Sequence, residues 1–289
     1  MSTASTPPPA IDVSTRMGAV HLTIADLDRS VGYYRDAIGL EVLSQGNGEA
    51  SFGAAGEELV HLVEVPGAAP SRGHTGLFHL ALRVPARIDL ARWLTHAAHT
   101  QVPLAGMSDH FVSEAIYLQD PDDHGIEIYW DRPRQLWEGR VGEMTTAALD
   151  VDDLMTELAA PPTELFEGLP AGTDMGHVHL RVRDVPDAIS FYRDVLGFEL
   201  MAMYGPHAAF LAAGGYHHHI GANVWQSMGA HAPPPGTASL HHATVILPTR
   251  FALDATVGRI ADRGQDPQPQ SGGVVVRDPS GIALLLTVV

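Results

Sequence analysis

Apolar and polar residues alternate from Val20 to Ile24, with Val20, Leu22 and Ile24 on one side and His21 and Thr23 on the other. That period of two predicts a half-buried strand. The period then changes. Leu27, Val31, Tyr34 and Ile38 recur at spacings of four, three and four, Asp26 is placed to cap the start, and Gly39 ends the run, so a helix follows the strand. Short strands are expected near 41–43, 50–52 and 59–65. The pattern restarts at Leu77 with LFHLALRV, a helix around 89–98, and strands near 116–118 and 126–130.

The same phrase is repeated later in the chain. MGAVHLTIADLDRSVGYYRDAIGLEV begins at Met17 and MGHVHLRVRDVPDAISFYRDVLGFEL at Met175, an offset of 175 − 17 = 158 residues without a gap. The turn at Asp120-Pro121 recurs at Asp278-Pro279 with the same offset. Internal repeats of this kind mark duplicated units. The chain therefore reads as a floppy tail over 1–14, one domain over 15–135, a linker over 136–172 with a short helix near 150–158, and a second domain over 173–289. Each domain is itself two strand–helix–three-strand modules. Four such modules define an α+β fold with curled antiparallel sheets around a cavity and helices outside.

Strand parity selects the candidate chemistry. His79 shares a face with Leu77, Ala81 and Arg83, while Phe78, Leu80, Leu82 and Val84 form an apolar set on the other; Glu127 and Tyr129 oppose Ile126 and Ile128. The apolar sets belong against the helices. His21, His79 and Glu127 then look into the cavity from three strands, which is a metal-binding arrangement.

Composition narrows the chemistry further. Hydrophobic residues are 45 % and charged residues 18 % of 289, a globular profile. No cysteine is present, which removes disulfides and thiolate ligands and leaves His, Asp and Glu to hold any metal. A formal net charge of −17 disfavours nucleic acid and anionic membranes. No apolar run approaches the roughly 18 residues of a membrane span, and MSTASTPPPAIDVST lacks the basic and apolar regions of a secretory signal. A cytoplasmic enzyme is expected.

The repeated unit, with SVGYYRDAIGL in one half and AISFYRDVLGF in the other, resembles the vicinal oxygen chelate superfamily of glyoxalases, bleomycin-resistance proteins and extradiol dioxygenases. The segment DHFVSEAIYLQDPDDHGIEIYWDRP, from Asp109 to Pro133, is similar to the signature of two-domain catechol 2,3-dioxygenases. Its elements are His110, Ile116, Tyr117, Asp120, Pro121 and Glu127, with Asp123 where that family usually has glycine. The resemblance implies Fe(II), or Mn(II) in some members, at a His21–His79–Glu127 facial triad. Such a triad leaves positions open for a diol and for dioxygen. It also implies His110 as acid/base and Tyr117 as hydrogen-bond donor to a substrate oxygen. A small aromatic diol and O2 are the expected partners, and paired modules of this kind often self-associate.

The second half keeps His179 and His242 at the positions that match His21 and His79, but offers Ala283 at or beside the position of Glu127 and Val275 at that of Tyr117. It carries GYHHHIGANVW, in which His217 and His219 share a face and could complete an all-histidine site with His179 and His242. Two alternatives remain at this stage. One is a glyoxalase-like lyase or isomerase, with His61 or Glu64 as a fourth ligand. The other is a metal-free drug-binding protein.

Overall fold

The computed structural model describes residues 10–158 and 166–288. Four modules follow one another, each a strand, a helix and three further strands. The first contains β1 (Arg16–Ile24), α1 (Leu27–Gly32), β2 (Glu41–Gly46), β3 (Glu49–Ala54) and β4 (Glu57–Glu64), and the two-residue β5 (Ala69–Pro70) follows it. The second contains β6 (Gly76–Arg83), α2 (Arg87–His99), β7 (Gly106–Asp109), β8 (Ser113–Gln119) and β9 (Gly125–Asp131). A connecting stretch holds β10 (Ala147–Ala148) and α3 (Val151–Met155). The third module is β11 (Asp174–Arg181), α4 (Val185–Ile189), β12 (Glu199–Tyr204), β13 (Ala208–Ala212) and β14 (Ile220–Asn223). After β15 (Thr237–Ala238), the fourth is β16 (Leu240–Leu247), α5 (Arg250–Asp262), β17 (Gln268–Gln270), β18 (Gly273–Arg277) and β19 (Ala283–Val288).

The helix signals act as expected. Asp26 accepts from the Arg29 amide at 2.9 Å, and Gly39 takes φ 87° where the helix, having widened into a π turn over Tyr33–Ile38, stops. Tyr34 and Ile38 are fully buried, as are Leu22, Ile24, Leu80, Leu82, Ile126 and Ile128. Tyr34 and its repeat partner Tyr192 each donate to a buried carboxylate, Asp120 and Asp278, at 3.0 Å, so the duplication extends to the polar anchors of the core. In the linker, α3 lies within the helix expected over 150–158, with Asp150 as its cap. Residues 1–9 and 159–165, which belong to the expected tail and linker, lie outside the described residues. Just beyond the first of them, Ile11 is buried and its amide donates to the Gly197 carbonyl at 2.8 Å.

Two features of the sheets depart from expectation. They are mixed rather than antiparallel, because the first and last strands of every module are parallel neighbours: β1 with β4, β6 with β9, β11 with β14 and β16 with β19. A parallel pair needs a long crossover, which the helix and two intervening strands provide. More consequentially, the modules do not pair within a half. One sheet runs β17-β18-β19-β16-β1-β4-β3-β2 and the other β10-β7-β8-β9-β6-β11-β14-β13-β12. The first and fourth modules thus share one sheet, and the second and third share the other.

A candidate metal centre between the second and third modules

That pairing decides which side chains meet. In the antiparallel pair β6–β11, His177 lies opposite Ala81, and His79 opposite His179. In the parallel pair β6–β9, Ala81 is also the partner of Glu127. His177, Ala81 and Glu127 therefore form one row across three adjacent strands. Because Ala81 ends at Cβ, the flanking side chains lean over it and meet: His177 Nε2 lies 3.1 Å from Glu127 Oε2. His79 stands two residues along the same face, and its Nε2 is 2.9 Å from the same oxygen without being aligned to hydrogen-bond with it. All three residues are buried, and their donor atoms lie within 4.8 Å of one another.

The set fits a divalent cation. Donors about 2.1 Å from one ion on an octahedral face stand about 3 Å apart, and the two nitrogen–oxygen separations have that value. Burial opposes charge on Glu127, but His177 and then His79 outweigh it and hold the carboxyl well below its usual range. Burial pulls His177 down to about 4, although Glu127 works the other way. The result is an anionic oxygen beside an imidazole lone pair, the form in which both bind metal.

The same cavity, about 430 Å³, is lined by His110 and Tyr117, a volume that suits a small ligand. His110 Nδ1 is 2.7 Å from the Thr145 carbonyl and its Nε2 is 2.6 Å from the Tyr117 hydroxyl. A carbonyl can only accept, so Nδ1 carries the proton of the neutral ring and Nε2 accepts from Tyr117. Tyr117 is the cross-strand partner of Glu127. Burial first, and that carboxylate second, raise its pKa well above the ordinary value, which keeps the hydroxyl protonated.

His21 is not part of this group. It projects from β1 in the other sheet, paired with His242 and neighboured by His61 on β4. There it is the middle ring of a stack, 4.0 Å from His242 and 4.6 Å from His61. The expectation that His21 joins His79 assumed that the two modules of one half share a sheet, and β1 instead pairs with β16. His21 is replaced at the centre by His177. A signal for it exists in the repeat, since MGHVHL differs from MGAVHL by a histidine at the position of Ala19, on the same face as His179.

Other expectations change for local reasons. The register of β6 and β11 skips one residue between His79 and Leu77, so Phe78 is bulged and turns into the cavity instead of the core. Among the three consecutive histidines, His218 lines the cavity, with its ring 4.1 Å from that of His177. His217 instead bonds Asp131 at 2.8 Å, and His219 Nδ1 accepts from the Ala213 amide at 3.1 Å. An all-histidine site of His179, His217, His219 and His242 is thus not assembled, and His242 sits in the other sheet. Leu285, paired with Val275, holds the place that Glu127 holds opposite Tyr117, so the position of Glu127 falls two residues after Ala283. Glu64 caps α1 through the Leu27 amide at 2.9 Å, and neither it nor His61 reaches the centre. His124 is buried, with Nε2 3.0 Å from the Thr23 carbonyl. Asp123 does adopt the left-handed φ of 66° that a glycine-preferring turn requires.

A deeply duplicated chain, with a buried His–Glu–His group that could hold a metal ion in a cavity made by modules from both halves, defines a protein of the paired-module kind. The chain belongs to the glyoxalase/bleomycin resistance protein/dioxygenase superfamily, whose family model matches residues 16–128 and 174–286. It is 40 % identical to a catechol-2,3-dioxygenase from Bacillus subtilis (strain 168), over 97 % of this chain and 99 % of that protein. Among solved structures, one from Bacillus subtilis subsp. subtilis strain 168, assigned as a dioxygenase, superposes with a TM-score of 0.66 at 15 % identity, covering 97 % of this chain and 86 % of the other. Glyoxalase I from Zea mays superposes at 0.57 and 17 %, covering 94 % and 92 %. At those identities the two structures speak for the fold alone. No helix among the described residues is long and apolar enough to cross a membrane.

Proposed function

We propose that this protein is an extradiol dioxygenase that opens a catechol-type ring next to its diol, with His79, Glu127 and His177 as the ligands of a divalent metal. The observation that carries the reading is the row His177–Ala81–Glu127 with His79 beside it, in a cavity that also holds the His110–Tyr117 pair. One carbon–carbon bond beside the diol breaks, and both atoms of O2 enter the product, so no outside reductant is needed. His79, His177 and Glu127 would hold the ion by two imidazoles and one carboxylate, a set that Fe(II) and Mn(II) both accept. Such an ion supplies Lewis acidity and an electron path between diol and dioxygen.

The side chains handle the protons. Tyr117 gives its hydrogen to His110 Nε2 and presents its oxygen lone pairs to the cavity. A diol O–H that hydrogen-bonds to that oxygen can pass its proton on as the Tyr117 proton moves to His110, and the pair can return it during ring opening. The aromatic walls, Phe78 and Trp225 among them, offer surfaces against which a flat ring can pack. The lyase reading required a fourth protein ligand. Among the described residues, the metal-ligating group contains three.

The test is anaerobic purification with metal analysis, followed by oxygen-electrode assays against simple catechols. Oxygen uptake with a yellow ring-opened product is expected. A protein loaded with iron or manganese that consumes no oxygen with any simple catechol would overturn the reading.

A further inference from the structure

Arg181 stands on β11 at the second alternate position after His177, with His179 between them, and all three line the cavity. Four residues of strand separate His177 from Arg181 by about 13 Å along the sheet. Around His179, in that interval, are Phe78, Trp225 and Phe210, with ring centroids 5.3, 5.5 and 5.8 Å from its own. The metal-binding group is thus at one end of an aromatic sleeve and a guanidinium at the other.

That guanidinium is short of partners. Its Nη2 donates to Ser71 Oγ at 3.1 Å and less well to the Ser71 carbonyl at 3.4 Å. Its Nε is buried with no hydrogen-bond partner. Among the described residues no carboxylate lies at ion-pair distance from it. Asp123, an acid of the cavity lining whose charge acts on Arg181, is itself bound at 2.6 Å by Arg72 Nε. This occurs in a chain with 34 acidic residues and 17 basic ones, in which acids to pair with an arginine are abundant. Burial lowers the pKa of Arg181 against the opposing pull of Asp123, which reflects a cation removed from water without an adjacent anion. An unpaired, partly desolvated guanidinium facing a cavity is a binding site for an anion that arrives with the ligand.

We propose that Arg181 receives a carboxylate on the substrate, so that the preferred substrate is a catechol bearing a short acidic side chain rather than catechol itself. The inference rests on the dioxygenase reading for its diol and on Arg181 alone for its acid. With the diol at the His79–Glu127–His177 end, the acid lies along the sleeve, where Nη1 of Arg181, which Ser71 does not engage, is placed to donate to a carboxylate oxygen.

The experiment compares the metal-loaded wild type with Arg181→Gln and Arg181→Lys on catechol, 3,4-dihydroxybenzoate and 3,4-dihydroxyphenylacetate, with metal content measured for each. Wild type should favour one of the acids over catechol in kcat/KM by about tenfold or more. Arg181→Gln should lower that acid-to-catechol ratio by about 10- to 100-fold, mainly through KM, as for loss of a charge-assisted hydrogen bond. Arg181→Lys should restore part of it. A second measurement, calorimetric binding of phenylacetate, which lacks the diol, reads the anion site without turnover and should weaken by a similar factor in Arg181→Gln. An unchanged ratio, or equal phenylacetate binding by wild type and Arg181→Gln, overturns the proposal. If no catechol is oxidised but phenylacetate binding still depends on Arg181, the dioxygenase reading fails while the anion site stands.

Discussion

His177 and Glu127 come from different halves of the chain and meet at 3.1 Å over the single methyl group of Ala81. Each is buried, and each supplies a donor atom to the one group whose donors lie within 4.8 Å of one another among the described residues. Removing either should therefore abolish the centre. Glu127→Ala and His177→Ala should each lower metal affinity by more than about 100-fold, since even supporting residues of metal sites cost 10- to 100-fold, and turnover should go with it. His21→Ala should retain full metal occupancy by elemental analysis. Loss of metal in His21→Ala with retention in His177→Ala would move the centre to the other sheet.

Ala81 supplies a test that leaves every ligand in place. A leucine there would occupy the space over which His177 and Glu127 approach. Ala81→Leu should fold, because the added side chain is apolar, but with the 1–3 kcal/mol destabilisation usual for overpacking. It should bind metal weakly or not at all. Thermal unfolding together with metal analysis separates the two effects.

Tyr117 and His110 act on protons rather than on the metal. Tyr117→Phe should keep wild-type metal content and reduce kcat by about 10²- to 10⁴-fold, the usual span for a general acid–base group. His110→Gln should fall in the same direction. A Tyr117→Phe variant with unchanged kcat would remove the hydroxyl from the mechanism.

The other sheet predicts a pH effect on stability. Burial first and neighbouring histidines second lower His21 to about 3 and His242 to about 4, against about 6.5 in an unfolded chain. Between pH 6.5 and 4 the unfolded state thus binds more protons than the native one, so stability increases with pH across that window and is lost as pH falls through it. His21→Phe keeps a ring in the stack and removes its proton site. It should be less sensitive to acid than wild type, by about 1 kcal/mol between pH 7 and 5 once partial exposure is discounted. Urea unfolding at both pH values measures the difference.

Much of this was legible in the residues themselves. The period-two strands, the capped helices and the repeat from Met17 to Met175 are local, because alternation and capping depend only on neighbours in sequence. For the same reason strand parity put His79 and Glu127 on one side, whereas His110 and Tyr117, which line the same cavity, were singled out by the resemblance to the dioxygenase signature. Tertiary structure alone decided which strands are adjacent. Backbone hydrogen bonds between strands carry no label of the half they come from, so β6 pairs with β11 and β1 with β16. That choice removed His21, brought in His177, and made one centre out of two halves. A bulge that parity cannot foresee turned Phe78 inward. The charge on Arg181 was visible in the sequence, but only the packed cavity left it without an acid.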